Sequence, residues 1–479
     1  MKSDTNYIDG EWVGAVEHVA NFNPSDLEDV VGEYALADAT QTAAAIAAAR
    51  RAFPAWASVS SQRRFEFLDR IGSLLVERKQ HLGTILAREQ GKTLENAIFE
   101  VERAGYTFKY FAGECVRTPG ERLASLRPEI EIDVTRDPLG VIGIITPWNF
   151  PLGIPVWKIA PALAYGNCVV FKPPELVPAS GHELARIVHE AGLPRGVFNL
   201  VAGKGQIVGE SLVSSPDVNG ISFTGSVNVG RRIGLAAMQA GKKVQLEMGG
   251  KNPMVVLDDA DIDVAADAAL DAAFYLTGQR CTASSRFIVT EGIHDAFVEA
   301  LRARMRIATV GHALDPETRI GPVVSQDQMG QNLSYIEIGK AEGARLIEGG
   351  VCLQRPTRGH FLSPALFVET ENSMRINREE IFGPVASVVR VRDYDEALQV
   401  ANDTPFGLAS SICTRSQKFA SHFRRNSQAG LVMVNLPTAG YEYHVPFGGT
   451  KGSSYGSREQ GRYAQEFFTT VKTAYTRPL

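Results

Sequence analysis

The sequence predicts an α/β architecture of the doubly wound type, and three observations carry that expectation. Residues 141–146, 169–172, 197–201 and 220–223 are short apolar runs bounded by turn residues. Each has the length of a buried parallel strand and is followed by a helical segment. A second alternation of the same kind runs from residue 255 to about residue 434. Two further β-type segments stand outside both alternations and call for a smaller third unit.

In chain order, residues 38–55 are alanine-rich behind Asp38 and Thr40, a good helix by propensity and capping. Residues 60–90 and 92–113 keep apolar side chains three and four apart and predict continued helix. The stretch Arg117-Thr118-Pro119-Gly120-Glu121 breaks it. Residues 129–135 then alternate polar and apolar, as a half-exposed strand does, and predict one arm of a projecting hairpin. Residues 467–475 form a second β-rich segment with no evident partner. Exposed edge strands must be covered, and a neighbouring subunit is one cover.

Composition narrows the function classes. At 479 residues the chain holds roughly three domain-sized units. With 44% hydrophobic and 22% charged residues it is ordinary for a globular protein. A net charge of −5 with scattered Lys and Arg gives no field for nucleic acid. The first residues have no apolar core of a secretory signal, and the longest apolar run, 141–145, is far short of the roughly 20 residues a membrane span needs. Five widely spaced cysteines, an odd number, argue against a disulfide framework and for a reducing, cytoplasmic compartment.

Two motifs point to covalent sulfur chemistry. In Gly278-Gln279-Arg280-Cys281 a cysteine follows flexible backbone with a cation beside it, and both favour a thiolate. In Glu247-Met248-Gly249-Gly250-Lys251 a carboxylate precedes two glycines, which allow close approach to a reaction centre. Together they predict a nucleophile and a carboxylate that activates water. The turn Thr146-Pro147-Trp148-Asn149-Phe150-Pro151 fixes an amide that can donate to an oxyanion, or satisfy its own turn.

Other motifs suit a nucleotide. Phe223-Thr224-Gly225-Ser226 is a strand end, a glycine turn and a helix start, where a phosphate is stabilised. Lys172 and Glu175 can hold a ribose diol, and Glu175 would repel a 2′-phosphate, favouring NAD over NADP. Gly203-Lys204-Gly205 with Gly209 reads either as a displaced dinucleotide fingerprint or as a tight turn. Gly91-Lys92-Thr93 mimics the end of a P-loop, but Leu86 stands where its first glycine belongs, so no ATP site is expected. Glu380 and Phe382 in Glu379-Glu380-Ile381-Phe382-Gly383-Pro384 pair a carboxylate with a ring. The nine histidines show no metal-ligand spacing, and no metal site is expected.

Taken in order, Trp148-Asn149-Phe150-Pro151, Lys172-x-x-Glu175, Phe223-Thr224-Gly225-Ser226, Glu247-x-Gly249-Gly250-Lys251, Gly278-Gln279-x-Cys281, Glu380-x-Phe382-Gly383-Pro384 and Pro446-Phe447-Gly448-Gly449 resemble the NAD(P)-dependent aldehyde dehydrogenase superfamily over nearly the whole chain. The resemblance implies a Rossmann-like cofactor domain (1–118 and 140–246), an α/β catalytic domain (247–446) and a small β oligomerisation flap (119–139 and 463–479). Residues 447–462 would return to the cofactor side. It implies Cys281 as nucleophile, Asn149 and the Cys281 N–H as oxyanion donors, and Glu247 as general base. Ile145, Trp148, Lys172, Glu175, Gly225, Ser226, Glu380 and Phe382 match cofactor contacts, and Trp157 and Phe447 an aromatic substrate tunnel. A homodimer or homotetramer follows from the flap.

The surroundings of Cys281 and the ending 443–461 are similar to bacterial α-ketoglutarate semialdehyde (2,5-dioxopentanoate) dehydrogenases. Arg103 falls where that family lines its pocket and can pair with a semialdehyde's carboxylate, or face outward. Arg280 is a second, less discriminating cation. Specificity is expected to lie with Arg103 and the 441–444 loop. The alternatives are an enzyme for another semialdehyde, aliphatic or aromatic aldehyde, and more remotely a thiol esterase that needs no cofactor.

Overall fold

The computed structural model describes residues 2–3, 5–117, 120–440 and 442–478. Thr118, Pro119 and Tyr441, to which the expected helix break and specificity loop extend, lie outside that set. Four sheets organise the chain.

The eight-stranded sheet has five parallel strands at its centre, in the order Lys243–Glu247, Gly220–Thr224, Val141–Ile145, Cys168–Lys172 and Phe198–Leu200. Ser454–Tyr455 pairs antiparallel at one end, and Thr5–Ile8 and Glu11–Gly14 extend the other. The inner strands are buried on both faces, which is why they read as continuous apolar runs. Strand order reverses between Val141–Ile145 and Gly220–Thr224. At such a switch point the connections diverge and leave a crevice outside the carboxyl ends of the strands. The helix Gly153–Ala164, buried along its whole length, packs beneath this point.

The seven-stranded sheet runs Arg345–Glu348, Ala365–Val368, Val385–Val391, Ser284–Thr290, Asn252–Val256, Ala409–Cys413 and Leu431–Val434. All its pairs are parallel except the first. A three-stranded sheet joins Thr469–Thr476, Glu131–Pro138 and Glu121–Ala124. The tail therefore has a partner within the chain, in register from Thr469 opposite Pro138 to Thr476 opposite Glu131. Phe467 and Phe468, read as part of that β segment, instead lie in a short helix packed into the core of the eight-stranded sheet.

The first helix is Ala39–Ala57, with the Asp38 carboxylate accepting from the Gln41 N–H. The expected helix 60–90 is two helices, Ser61–Glu77 and Lys79–Gln90. The chain turns at Arg78 (φ −101°, ψ 13°) without glycine or proline. Both halves pack on the next helix, Leu94–Cys115, and on Ala179–Glu190, but the first also meets Gly153–Ala164 and the second the strands Glu17–Asn23 and Asp26–Leu36. That demand is tertiary and leaves no local signal. The described residues up to Leu36, to which no element was assigned from sequence, hold five strands, the longest Asp26–Leu36.

Candidate active site

Cys281 follows a turn that is held from several sides. Leu276, Thr277 and Gly278 adopt successive left-handed conformations (φ 55°, 59° and 64°), unfavourable for the first two. The Thr277 hydroxyl donates to the Gly321 carbonyl at 2.9 Å, and the Val324 N–H to the Gln279 side chain at 3.0 Å. A Cβ on Gly278 would lie 2.4 Å from the Gly383 carbonyl oxygen. Gly278 thus serves close approach and positive φ, not flexibility. The Asn252 amide donates to the Cys281 carbonyl at 2.7 Å, and a Cβ on Gly250 would stand 2.7 Å from that same oxygen.

The expected activating cation is not there. Arg280 is buried and turned back to the helix Ile262–Phe274, donating to the Asp271 carboxylate at 3.3 Å and to its carbonyl. A guanidinium engaged in this way is directed at neither the Cys281 thiol nor a substrate carboxylate, although its charge still reaches Cys281. Burial, together with the negative charges of Glu380 and Glu247, pushes the thiol up to about 12.

Asn149 ends the connection after the central strand Val141–Ile145. Its amide donates to the Gln279 carbonyl at 3.1 Å, tying it to the Cys281 turn, and the amide carries a second N–H. A fully buried ion pair holds this connection from below. Lys92 Nζ lies 2.5 Å from Glu100 Oε2, donates to the Asn149 carbonyl at 2.8 Å, and sits 4.0 Å over the Phe150 ring. Glu100 accepts from the Leu152 and Gly153 N–H groups at the start of the buried helix. The Gly91-Lys92-Thr93 motif, set aside as a phosphate loop, is therefore part of the support for Asn149. Its spacing to Glu100 was the one available sign.

Glu247 closes the strand Lys243–Glu247, and its carboxylate accepts from Ser454 Oγ at 2.6 Å. Burial first, then the charge of Glu459, hold it well above the usual carboxylate range. Ser454, Lys158 and Arg458 pull the other way. Lys158 and Glu459 form a second fully buried pair behind it. Neither this pair nor Ser454 was singled out from the sequence, although Ser454 and Glu459 both lie in the ending 443–461.

One cavity opens on this centre, and two others are formed by neighbouring elements. The first, about 210 Å³, is lined by Cys281, Asn149, Trp148, Thr224, Gly225, Ser226, Glu380 and Phe382. The Trp148 and Phe382 rings stand edge to face, 5.3 Å apart. Glu380 accepts from the Gly250 N–H at 2.9 Å, and burial pushes it up to about 7. Its carboxylate fills the place where a Gly249 side chain would stand, 2.0 Å from a Cβ built there. Glu379 points elsewhere, paired with Arg375 and Tyr335.

The second cavity, about 910 Å³, is lined by Ile145, Lys172, Glu175, Lys204, Gly205, Gly209 and Arg232 among others. Lys172 and Glu175 are 3.3 Å apart, and Glu175 also accepts from the Gly205 N–H at 2.6 Å. The 203–209 glycines form a π-helical turn, Gly205–Gly209, in this wall. The helix Val227–Gln239 begins beside these cavities, and Ser226 makes no side-chain cap to it. Its first N–H groups are thus free for an anion. Thr146 and Thr224, at the strand ends, have buried hydroxyls without a protein partner. An anion-binding helix end, a Lys–Glu pair and orphaned donors at a switch point together fit a dinucleotide.

The third cavity, about 470 Å³, opens on the other side and is lined by Arg103, Leu436, Glu442, Val445 and Phe447 among others. Phe447 stacks on Trp157 with centroids 5.2 Å apart, in an apolar cluster that touches Cys281. Arg103 faces inward here, its guanidinium 5.0 Å from the Phe99 ring and 6.0 Å from that of Tyr443. Among the described residues no group of three or more His, Cys, Asp or Glu could hold a metal ion.

Comparison with known proteins gives the family of the chain. The aldehyde dehydrogenase family model matches residues 12–474. The chain is 43% identical to an alpha-ketoglutaric semialdehyde dehydrogenase of Bacillus subtilis (strain 168), over 99% of this chain and 98% of that one. It is 42% identical to an alpha-ketoglutarate semialdehyde dehydrogenase of Haloferax volcanii, over 98% of each. A crystal structure of an NAD-dependent aldehyde dehydrogenase from Sinorhizobium meliloti superposes with a TM-score of 0.97 at 35% identity, covering 100% of this chain and 95% of that one. With the family model spanning nearly its full length, the chain belongs to the aldehyde dehydrogenase family.

Proposed function

We propose that Cys281, Asn149 and Glu247 divide the oxidation between them and that the substrate is 2,5-dioxopentanoate, the semialdehyde of α-ketoglutarate. Cys281 Sγ bonds to the aldehyde carbon, and the carbonyl oxygen becomes an oxyanion. The second N–H of Asn149 and the Cys281 N–H receive that oxyanion. When bound, NAD(P)+ supplies the acceptor for the hydride the carbon gives up. The carbon is then a thioester on Cys281. Glu247 takes a proton from the water that attacks it, the C–S bond breaks, and the carboxylic acid leaves while the thiolate returns.

Ile145, Lys172 and Glu175 in the large cavity, and Trp148, Gly225, Ser226, Glu380 and Phe382 beside Cys281, would hold the cofactor. Glu175 accepting from a ribose 2′-hydroxyl favours NAD over NADP. The eight-stranded sheet would carry the cofactor and the seven-stranded sheet the nucleophile. The three-stranded sheet, whose strand Glu121–Ala124 is exposed throughout, would join subunits in a homodimer or homotetramer. Five free cysteines fit a cytoplasmic setting.

One observation carries the substrate reading. Arg103 is the cation among the described residues lining the cavity whose wall includes Phe447, and Phe447 belongs to the apolar cluster against which Cys281 packs. A semialdehyde acid has a carboxylate for Arg103 and an aldehyde for Cys281. The names of the two semialdehyde dehydrogenase relatives support the same substrate. Glu442 in the same wall is what a cationic aldehyde would use, so a test panel should hold 2,5-dioxopentanoate, betaine aldehyde and hexanal with both cofactors. The expected result is the highest kcat/KM for 2,5-dioxopentanoate with NAD. Arg103→Ala should raise its KM by about tenfold or more while leaving hexanal nearly unchanged. An equal effect on both, or a preference for betaine aldehyde, would overturn the reading.

A further inference from the structure

Glu247 does not line the cavity that holds Cys281; it is held aside by one hydroxyl. The strand Ser454–Tyr455 pairs antiparallel with Lys243–Glu247, and the register sets Ser454 directly opposite Glu247. Opposed residues of an antiparallel pair project to the same face, about 5 Å apart, so a short hydroxyl can reach the carboxylate. The polarity of the bond is also determined. The Gly449 N–H donates to Ser454 Oγ at 2.7 Å, and the hydroxyl's single proton goes to Glu247 Oε2 at 2.6 Å. Ser454 is thus a relay that carries a backbone donor to an anionic carboxylate. The other carboxylate oxygen lies against Gly448, where a Cβ would stand 2.7 Å from it.

We infer that the Ser454 hydroxyl is a positioning group that holds Glu247 ready as the base for thioester hydrolysis and has no part in thioester formation. This rests on the general-base reading of Glu247. The groups facing Glu247 are Glu459, paired with Lys158 of the buried helix, then Arg458, and Cys281 across the centre. Burial and Glu459 favour the protonated carboxyl, which cannot accept a proton from water. Ser454 opposes them along with Lys158 and Arg458, by a hydrogen bond that is stronger to the ionised carboxylate than to the neutral acid. Removing the hydroxyl leaves the strand's backbone pairing in place. It takes away only this donor, and the acceptor of the Gly449 N–H.

The test compares the wild type, Ser454→Ala, Ser454→Thr and Glu247→Gln, each loaded with NAD and mixed with a simple aldehyde. Stopped flow follows the NADH burst, and quench-flow intact-mass spectrometry follows the decay of the acyl adduct on Cys281. Expected for Ser454→Ala are an unchanged burst rate, adduct decay slowed about tenfold at neutral pH, and recovery of decay at higher pH as its acid limb moves up by about one unit. Ser454→Thr, which keeps the hydroxyl, should restore decay, and Glu247→Gln should hold the adduct at every pH. If Glu247→Gln stalls while Ser454→Ala decays at the wild-type rate, the role of Ser454 is overturned and that of Glu247 stands. A burst slowed as much as decay in Ser454→Ala also overturns it. Wild-type decay in Glu247→Gln removes the base itself, and the inference with it.

Discussion

The turn that carries Cys281 and the mouth that carries Arg103 are built by different means. The turn is set largely by backbone: three left-handed residues, a carbonyl 2.4 Å from where Gly278 would place a side chain, and hydrogen bonds from the Asn252 side chain to the Cys281 carbonyl and from the Val324 N–H to the Gln279 side chain. The mouth is set by side chains on a helix face, on the strand Leu431–Val434 and on described residues between Leu436 and Phe447. Backbone constraints fix where Cys281 stands in the chain's path and tolerate little change. Side-chain constraints can be exchanged one at a time. The chemistry is thus anchored where substitution is costly, and specificity lies where it is cheap.

Substitutions on either side of this divide should differ in size and kind. Cys281→Ala removes the atom that bonds the substrate, and aldehyde-dependent NADH production should fall by about 10⁴-fold or more with thermal stability little changed. Retained turnover would dissolve the distinction between turn and mouth.

Lys92→Met should act through the scaffold. It leaves Glu100 buried without its cation and frees the Asn149 carbonyl. A stability loss of about 3–5 kcal/mol is expected, read as a lower urea midpoint. A change under about 1 kcal/mol would mean that the pair beneath Asn149 carries little.

The pH dependence should belong to the turn as well. Both the Cys281 thiol and the Glu247 carboxyl are raised, and both act in their deprotonated forms. The deprotonated fraction of each grows as pH rises, so kcat should climb from neutral toward alkaline pH. A profile already flat at neutral pH would place one of them in an ionised resting state. At the mouth, Arg103→Ala should give the smallest effect, confined to acidic substrates and without loss of stability.

Much of the site was legible because its residues lie in strand-end motifs whose order survives in one dimension. Cys281, Asn149, Gly225, Ser226, Glu380 and Phe382 are brought around one cavity of about 210 Å³, and Arg103 and Phe447 around another. What was not legible depended on contacts between distant segments. The Lys92–Glu100 pair and the Asn149 carbonyl are 57 residues apart in the chain, and Ser454 and Glu247 are 207 apart. Arg280 illustrates the converse. Adjacency to Cys281 suggested electrostatic activation, yet successive side chains point in different directions, and this one finds Asp271.

The sequence by itself determined the alternation of strands and helices and the family to which the chain belongs, and it put forward Cys281 and Glu247 as the reacting pair. These rest on local pattern: apolar period, turn residues and motif order. Only the tertiary structure decided which charges face one another, that Glu247 rests on Ser454 instead of Cys281, and that a rejected phosphate motif supports Asn149. A charge acts through distance and burial, and strand register and helix packing set both.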